Sequence, residues 1–180
     1  MTKTMNGHAA SVASEEKPAE QFITAVVNAD WDGADALYQT MADDQLKFAS
    51  RVFSCLVRSH MNNQLKQAFL RYGELDVNYQ AYMFEPALLA AAKHANMKAL
   101  ELLRQHPGVN RHIVQQGKHA WGLLDFARMS RHAHTIELAT AIMAEAGPAP
   151  TQPNKPSGDP NQPVIRRKLS GIELQRPQTA

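Results

Sequence analysis

Cysteine occurs once among the 180 residues, at Cys55, so no intramolecular disulfide and no cysteine-based zinc cage can form. Its neighbours Phe53, Ser54, Leu56 and Val57 are mostly apolar, which predicts a buried small hydrophobe and not a reactive thiol. No apolar run approaches the roughly 18 residues of a membrane span, and the first residues lack the ~7–15-residue apolar stretch of a secretory signal. These absences predict no membrane contact and a cytoplasmic location. The alternative is export without a cleaved signal into a host cell, for which the Ser/Thr/Ala-containing leader has a suitable composition.

Motifs of catalysis are also missing. There is no Gly-x-Ser-x-Gly elbow, no phosphate-cradling glycine loop and no His-Glu-x-x-His. Eight histidines are present, but His132-x-His134 does not fit one helical face, and Asp125 lies seven positions from His132. His60, His94, His132 and His134 read as turn residues between paired helices. The Asp30, Asp32 and Asp35 cluster is explained by the positive end of a helix dipole. No catalytic residue, metal, cofactor or small-molecule substrate is therefore expected. A surface dedicated to nucleic acid is not expected either, because residues 20–147 carry 12 Lys/Arg against 13 Asp/Glu.

What is present is helical periodicity between two polar ends. Residues 1–19 hold few large apolar side chains and are expected to be disordered. From residue 20, Phe22, Ile23, Val26 and Val27 form one stripe, and Ala34, Leu37 and Tyr38 a second, with Asp30 or Asp32 capping the latter. A third stripe runs from Leu46 to Val57, with a turn at His60–Asn63. A fourth runs from Leu65 to Leu70 and stops at Gly73. Beyond Gly147 comes a Pro-rich linker and then Val164–Leu174, where Arg166, Arg167 and Lys168 sit among aliphatic side chains.

Phe69-Leu70-Arg71 followed by Asp76-Val77-Asn78 is echoed by Leu102-Leu103-Arg104 followed by Gly108-Val109-Asn110. A shift of about thirty-three residues superimposes Leu56 on Leu89 and Leu70 on Leu103, a period of helical repeat arrays. Pro86-Ala87-Leu88-Leu89 through Leu102-Leu103, the preceding Gly73–Asn78, and Leu124-Asp125-Phe126-Ala127-Arg128 together resemble the ankyrin repeat family, most closely over 73–128. Departures are Glu85-Pro86-Ala87-Leu88 at the repeat opening, Ala95 in place of the central turn glycine, and Ser130–Ala133 interrupting the last unit. The resemblance implies an all-α fold of stacked antiparallel helix pairs, a short solenoid with disordered tails. Its divisions would be a capping pair at 20–43 and units at 44–78, 79–110 and 111–147, with the linker and tail at 148–180.

In that fold, loops between units and inner helices carry partner binding. The resemblance therefore nominates Tyr79, Tyr82 and Met83 in one loop, and Arg111, His112, Lys118 and Trp121 in the next, as contacts for a protein partner. Aromatic and Met side chains suit such contacts because they offer large area with few or compliant torsions. Arg166, Arg167, Lys168 and Leu169 are candidates for a second contact, and Ser170 for phosphorylation. The expected function is a non-enzymatic protein-interaction module or adaptor. The alternatives are a bacterial effector acting on host proteins and a regulatory or inhibitory subunit acting through the tail. An array this short can also expose an apolar end, for which Leu37, Tyr38, Ile142 and Met143 are the candidates.

Overall fold

The computed structural model describes residues 7–80, 84–115 and 120–148, with side chains from Lys17 onward. Helices α1 (Gly7–Val27), α2 (Trp31–Thr40), α3 (Asp43–Ala49), α4 (Arg51–Arg58) and α5 (Asn62–Arg71) are followed by α6 (Ala87–Lys93), α7 (Met97–Gln105), α8 (Leu123–Ser130) and α9 (Ala133–Ala146). Among the described residues there is no strand; Gln115 and Trp121 form an isolated antiparallel bridge.

The turns inside the helix pairs share one construction. After α1, the N–H of Ala29 donates to the Val26 carbonyl and that of Asp30 to the Ala25 carbonyl. His60 and Met61 repeat these bonds onto Val57 and Leu56, and Ala95 and Asn96 onto Ala92 and Ala91. This is the Schellman closure, which satisfies the last carbonyls of a helix through a residue in the left-handed region. Ala29, His60 and Ala95 hold φ of 57°, 56° and 50°, and Arg131 holds 56° at the turn between α8 and α9. Glycine usually fills such a position because a Cβ there meets backbone. Replacing Ala95 by glycine should therefore raise stability by about 1 kcal/mol, read as a higher urea midpoint, whereas Ala95→Val should lower it.

These bonds also fix the repeat register. Met61 aligns with Asn96, and so Leu65 with Leu100, both fully buried. The pairing of Leu70 with Leu103 read from the sequence is wrong by two positions: Leu103 is fully buried, whereas Leu70 is 73% exposed. Two residues turn a helix by about 200°, which moves a side chain from the core to solvent.

Helices α4, α6 and α8 pack side by side, α5, α7 and α9 form a second row, and each inner helix also contacts the outer helix that follows it. Helix α1 packs on α2, α3, α4 and α5. Between α4 and α8, every residue of α6 from Ala87 to Ala92 is buried. Four of those six are alanine, which lets neighbours approach from both sides at interior packing density. Phe22 of α1 meets Tyr72 edge-on at 4.9 Å and Tyr38 at 6.0 Å. Tyr72 donates to Asp35 at 2.7 Å, and the same carboxylate pairs with Arg71 at 2.8 Å. Burial, then the hydrogen bond and charge of Asp35, push the Tyr72 phenol well above its ordinary range.

Helix α1 begins at Gly7, inside the stretch read as the leader. Its Ala- and Glu-rich sequence favours helix without supplying the apolar stripe that periodicity detects, and α1 continues through Pro18. The stripe from Leu46 to Val57 is two helices, because Ser50 interrupts it: its hydroxyl donates to the Leu46 carbonyl and accepts from the Asp76 N–H. Finally, Ile142 is buried, while Leu37, Tyr38 and Met143 are half-buried against the core. The capping role of Asp30 is as expected, with its carboxylate accepting from the Gly33 N–H at 3.1 Å.

Candidate interaction surface

Two loops connect successive helix pairs, and Asn78 joins them. Its side-chain amide donates to the Gly108 carbonyl at 2.8 Å and accepts from the Asn110 N–H at 2.7 Å. Within each loop a carboxylate or amide closes a local turn: Asp76 accepts from the Asn78 N–H at 2.9 Å, and Asn110 from the His112 N–H at 3.0 Å. Gln115 donates to the Trp121 carbonyl at 2.9 Å, bringing the second loop back toward α8.

The nominated contact residues have unequal roles here. Tyr79 and His112 are half-buried in these loops. Arg111 donates to the Arg104 carbonyl at 2.8 Å, so it closes the C-terminal end of α7. Trp121 is 39% exposed and meets Phe126 edge-on at 5.9 Å. Tyr82, Met83, Lys118, Arg166, Arg167, Lys168, Leu169 and Ser170 lie outside the described residues.

Sequence reasoning missed a band of cations and rings along α4, α6 and α8. The uncovered stripe of α4 is Arg51, Cys55 and Arg58, since Val52, Phe53, Ser54, Leu56 and Val57 are buried. The Arg51 guanidinium lies 4.2 Å and that of Arg58 5.8 Å from the centroid of the Phe84 ring. Beside them Lys93 pairs with Glu85, and its ammonium lies 5.9 Å from the Phe126 ring. Arginines spaced by seven at the edge of an apolar helix are a legible signal, but only the return of the chain at Phe84 gives them a common ring.

Electrostatics differ along the band. Burial pushes the Glu85 carboxyl up, but the Lys93 hydrogen bond, its own backbone N–H and the charges of Lys93 and Arg58 outweigh this and leave it below the ordinary value. Cys55 is half-buried, less enclosed than expected; burial raises its thiol, opposed by Arg51 and Arg58. His94 is lowered by burial and by the cations Arg58 and Lys93. His106, stacked on Phe69 at 4.6 Å and accepting at Nδ1 from the Gly108 N–H, is lowered by burial.

A histidine whose pKa falls on folding is protonated first in the unfolded chain, so acid favours unfolding. The stability from His94 and His106 is complete above the free value of 6.5 and declines as pH drops below it toward their folded values. The urea midpoint should therefore be lower at about pH 5 than at about pH 7.5, and the decline should be shallower in a His94→Gln/His106→Gln variant.

Of the other histidines, His60 holds the left-handed turn, His132 precedes α9, and His134 lies within its first turn, 3.1 Å from Glu137. Among the described residues, no group of three or more His, Cys, Asp or Glu is placed to hold a metal. No helix among them is long and apolar enough to cross a membrane. Comparisons with protein-family models, curated proteins and solved structures give no match.

Proposed function

We propose that this chain is a short ankyrin-like array serving as a non-enzymatic protein-interaction module or adaptor. The observation that carries the reading is the loop-to-loop bridge of Asn78, by which the connection after one helix pair sets the position of the next. Loops held in this way present side chains to a partner with little ordering left to do on binding, and pre-organisation of that kind favours affinity. The recurring left-handed turns and the two helix rows support the repeat character.

Affinity capture from a lysate of the source cells tests the reading. The full chain, a version ending at Gly147, and the full chain carrying Tyr79→Ala and Trp121→Ala would each be used as bait. A protein retained by the first two and reduced on the third is the expected result. Retention only by the full-length forms would assign the contact to residues 148–180, and absence of any retained protein would refute the module.

A further inference from the structure

We infer that the α4 face bearing Arg51 and Arg58, with Phe84 of the loop before α6 beside it, is a docking site for an acidic segment of a partner protein, one that offers two carboxylates about one extended turn apart. The inference rests on the interaction-module reading above and specifies the chemistry of the partner.

The argument begins with charge left over. Ion pairs among the described residues engage Arg71, Lys93, Arg104 and Arg128, and none engages Arg51 or Arg58. Glu85 is the carboxylate beside them and is already held by Lys93. The face thus keeps two positive charges that no carboxylate contacts among the described residues, with Arg58 acting on Glu85 only through its field.

Geometry selects the ligand. The two guanidinium groups lie 4.2 and 5.8 Å from the centroid of one ring, and their side chains leave α4 about two helical turns, roughly 10 Å, apart. That arrangement suits two separate anionic groups better than a single small anion. Residues i and i+3 of a polyproline II segment project from the same side about 9 Å apart, close to the spacing of the two arginines along α4. Phe84 offers an apolar seat between them, so a Glu-x-x-Glu segment can lay its intervening residues on the ring. The chain's own basic run, Arg166-Arg167-Lys168, has the wrong sign to occupy this face. Nucleic acid is disfavoured because two free cations release counterions from only about two phosphates, too few for firm attachment.

The test uses the full chain and a fluorescein-labelled peptide of repeated Glu-Pro-Pro, followed by anisotropy. A Lys-Pro-Pro peptide and labelled oligothymidylate serve as comparisons. The expected result is binding of the Glu peptide that weakens with salt and falls by about tenfold in Arg51→Gln/Arg58→Gln, with no binding of the Lys peptide. Circular dichroism of the variant, and an Arg58→Lys variant that keeps the charge, guard against misfolding. A Glu peptide that does not bind, or binds the double variant equally well, overturns the inference. Tighter binding of oligothymidylate than of the Glu peptide overturns it in favour of nucleic acid. The same double variant used as bait separates the two readings. If it still retains the partner captured by the full chain, the docking site is wrong and the interaction module stands; if no form of the chain retains a protein, the module itself fails.

Discussion

Replacing Asn96 by alanine should lower the unfolding free energy by about 2 kcal/mol, beyond an ordinary cap deletion. Asn96 is 4% exposed and performs two tasks with one amide. Its oxygen accepts from the Ala99 N–H at 3.1 Å, capping α7, and its nitrogen donates to the Val57 carbonyl of α4 at 2.9 Å. Alanine removes the cap, worth about 1 kcal/mol, and a buried bond to α4 worth about 1 kcal/mol more, while the Val57 carbonyl keeps the His60 N–H as its donor. Asp30 is the control, because it occupies the same turn position but is exposed and makes only the capping bond. Asp30→Ala should cost about 1 kcal/mol or less. Asn96→Asp separates the two tasks: the cap survives, but a carboxylate then faces the Val57 carbonyl. Urea titrations followed by circular dichroism measure all three, and equal losses for Asn96→Ala and Asp30→Ala would show that the link to α4 contributes nothing.

A comparable or larger loss, about 3–5 kcal/mol, is expected for Phe22→Ala. Phe22 is fully buried where α1, α2 and α5 meet, with Tyr38 and Tyr72 against its ring. Truncation removes the ring's transfer energy and leaves a cavity that two tyrosines cannot fill, since Tyr72 is held at its hydroxyl by Asp35. On the proposed array reading, the loss is felt first by neighbours. Hydrogen exchange should therefore rise in α1, α2 and α5 before α7 and α9 respond. Uniform exchange throughout would show one cooperative unit, and a loss under about 1 kcal/mol would show that α1 is not integral to the core.

Much of the helical pattern was legible because burial leaves a periodic trace. Val52, Phe53, Leu56 and Val57 on α4, and Leu100 and Leu103 on α7, are spaced as one helical face demands, and all are buried. The turn at Asp30 could be read from its capping chemistry. What could not be read were features decided by distant partners. Ser50 divides a continuous apolar stripe because its hydroxyl is met by Asp76, 26 residues later. The repeat register was mistaken because leucine pairs look alike whichever face they occupy, and the left-handed turns that fix it are held by Ala29, His60, Ala95 and Arg131, none of them glycine. Of the surface, the aromatic character of Tyr79 and Trp121 was visible. The union of Arg51, Arg58 and Phe84 was not, because it depends on where a loop returns. Arg111 reads in the sequence as a partner contact, whereas in the fold the Arg104 carbonyl holds it.

The last helix is fastened at both ends by different means. Near its start, the Thr135 hydroxyl reaches the Met97 sulfur at 3.4 Å, and near its finish Glu145 takes a two-pronged grip from Arg104, with Nε–Oε2 at 3.0 Å. Two residues after Glu145 comes Gly147, where the helix has ended. A load drawn along the chain from that side reaches the Arg104–Glu145 clasp before any buried side chain of α9. Peeling would have to open it first, ahead of the buried Ile142, Ala139 and Thr135 in succession.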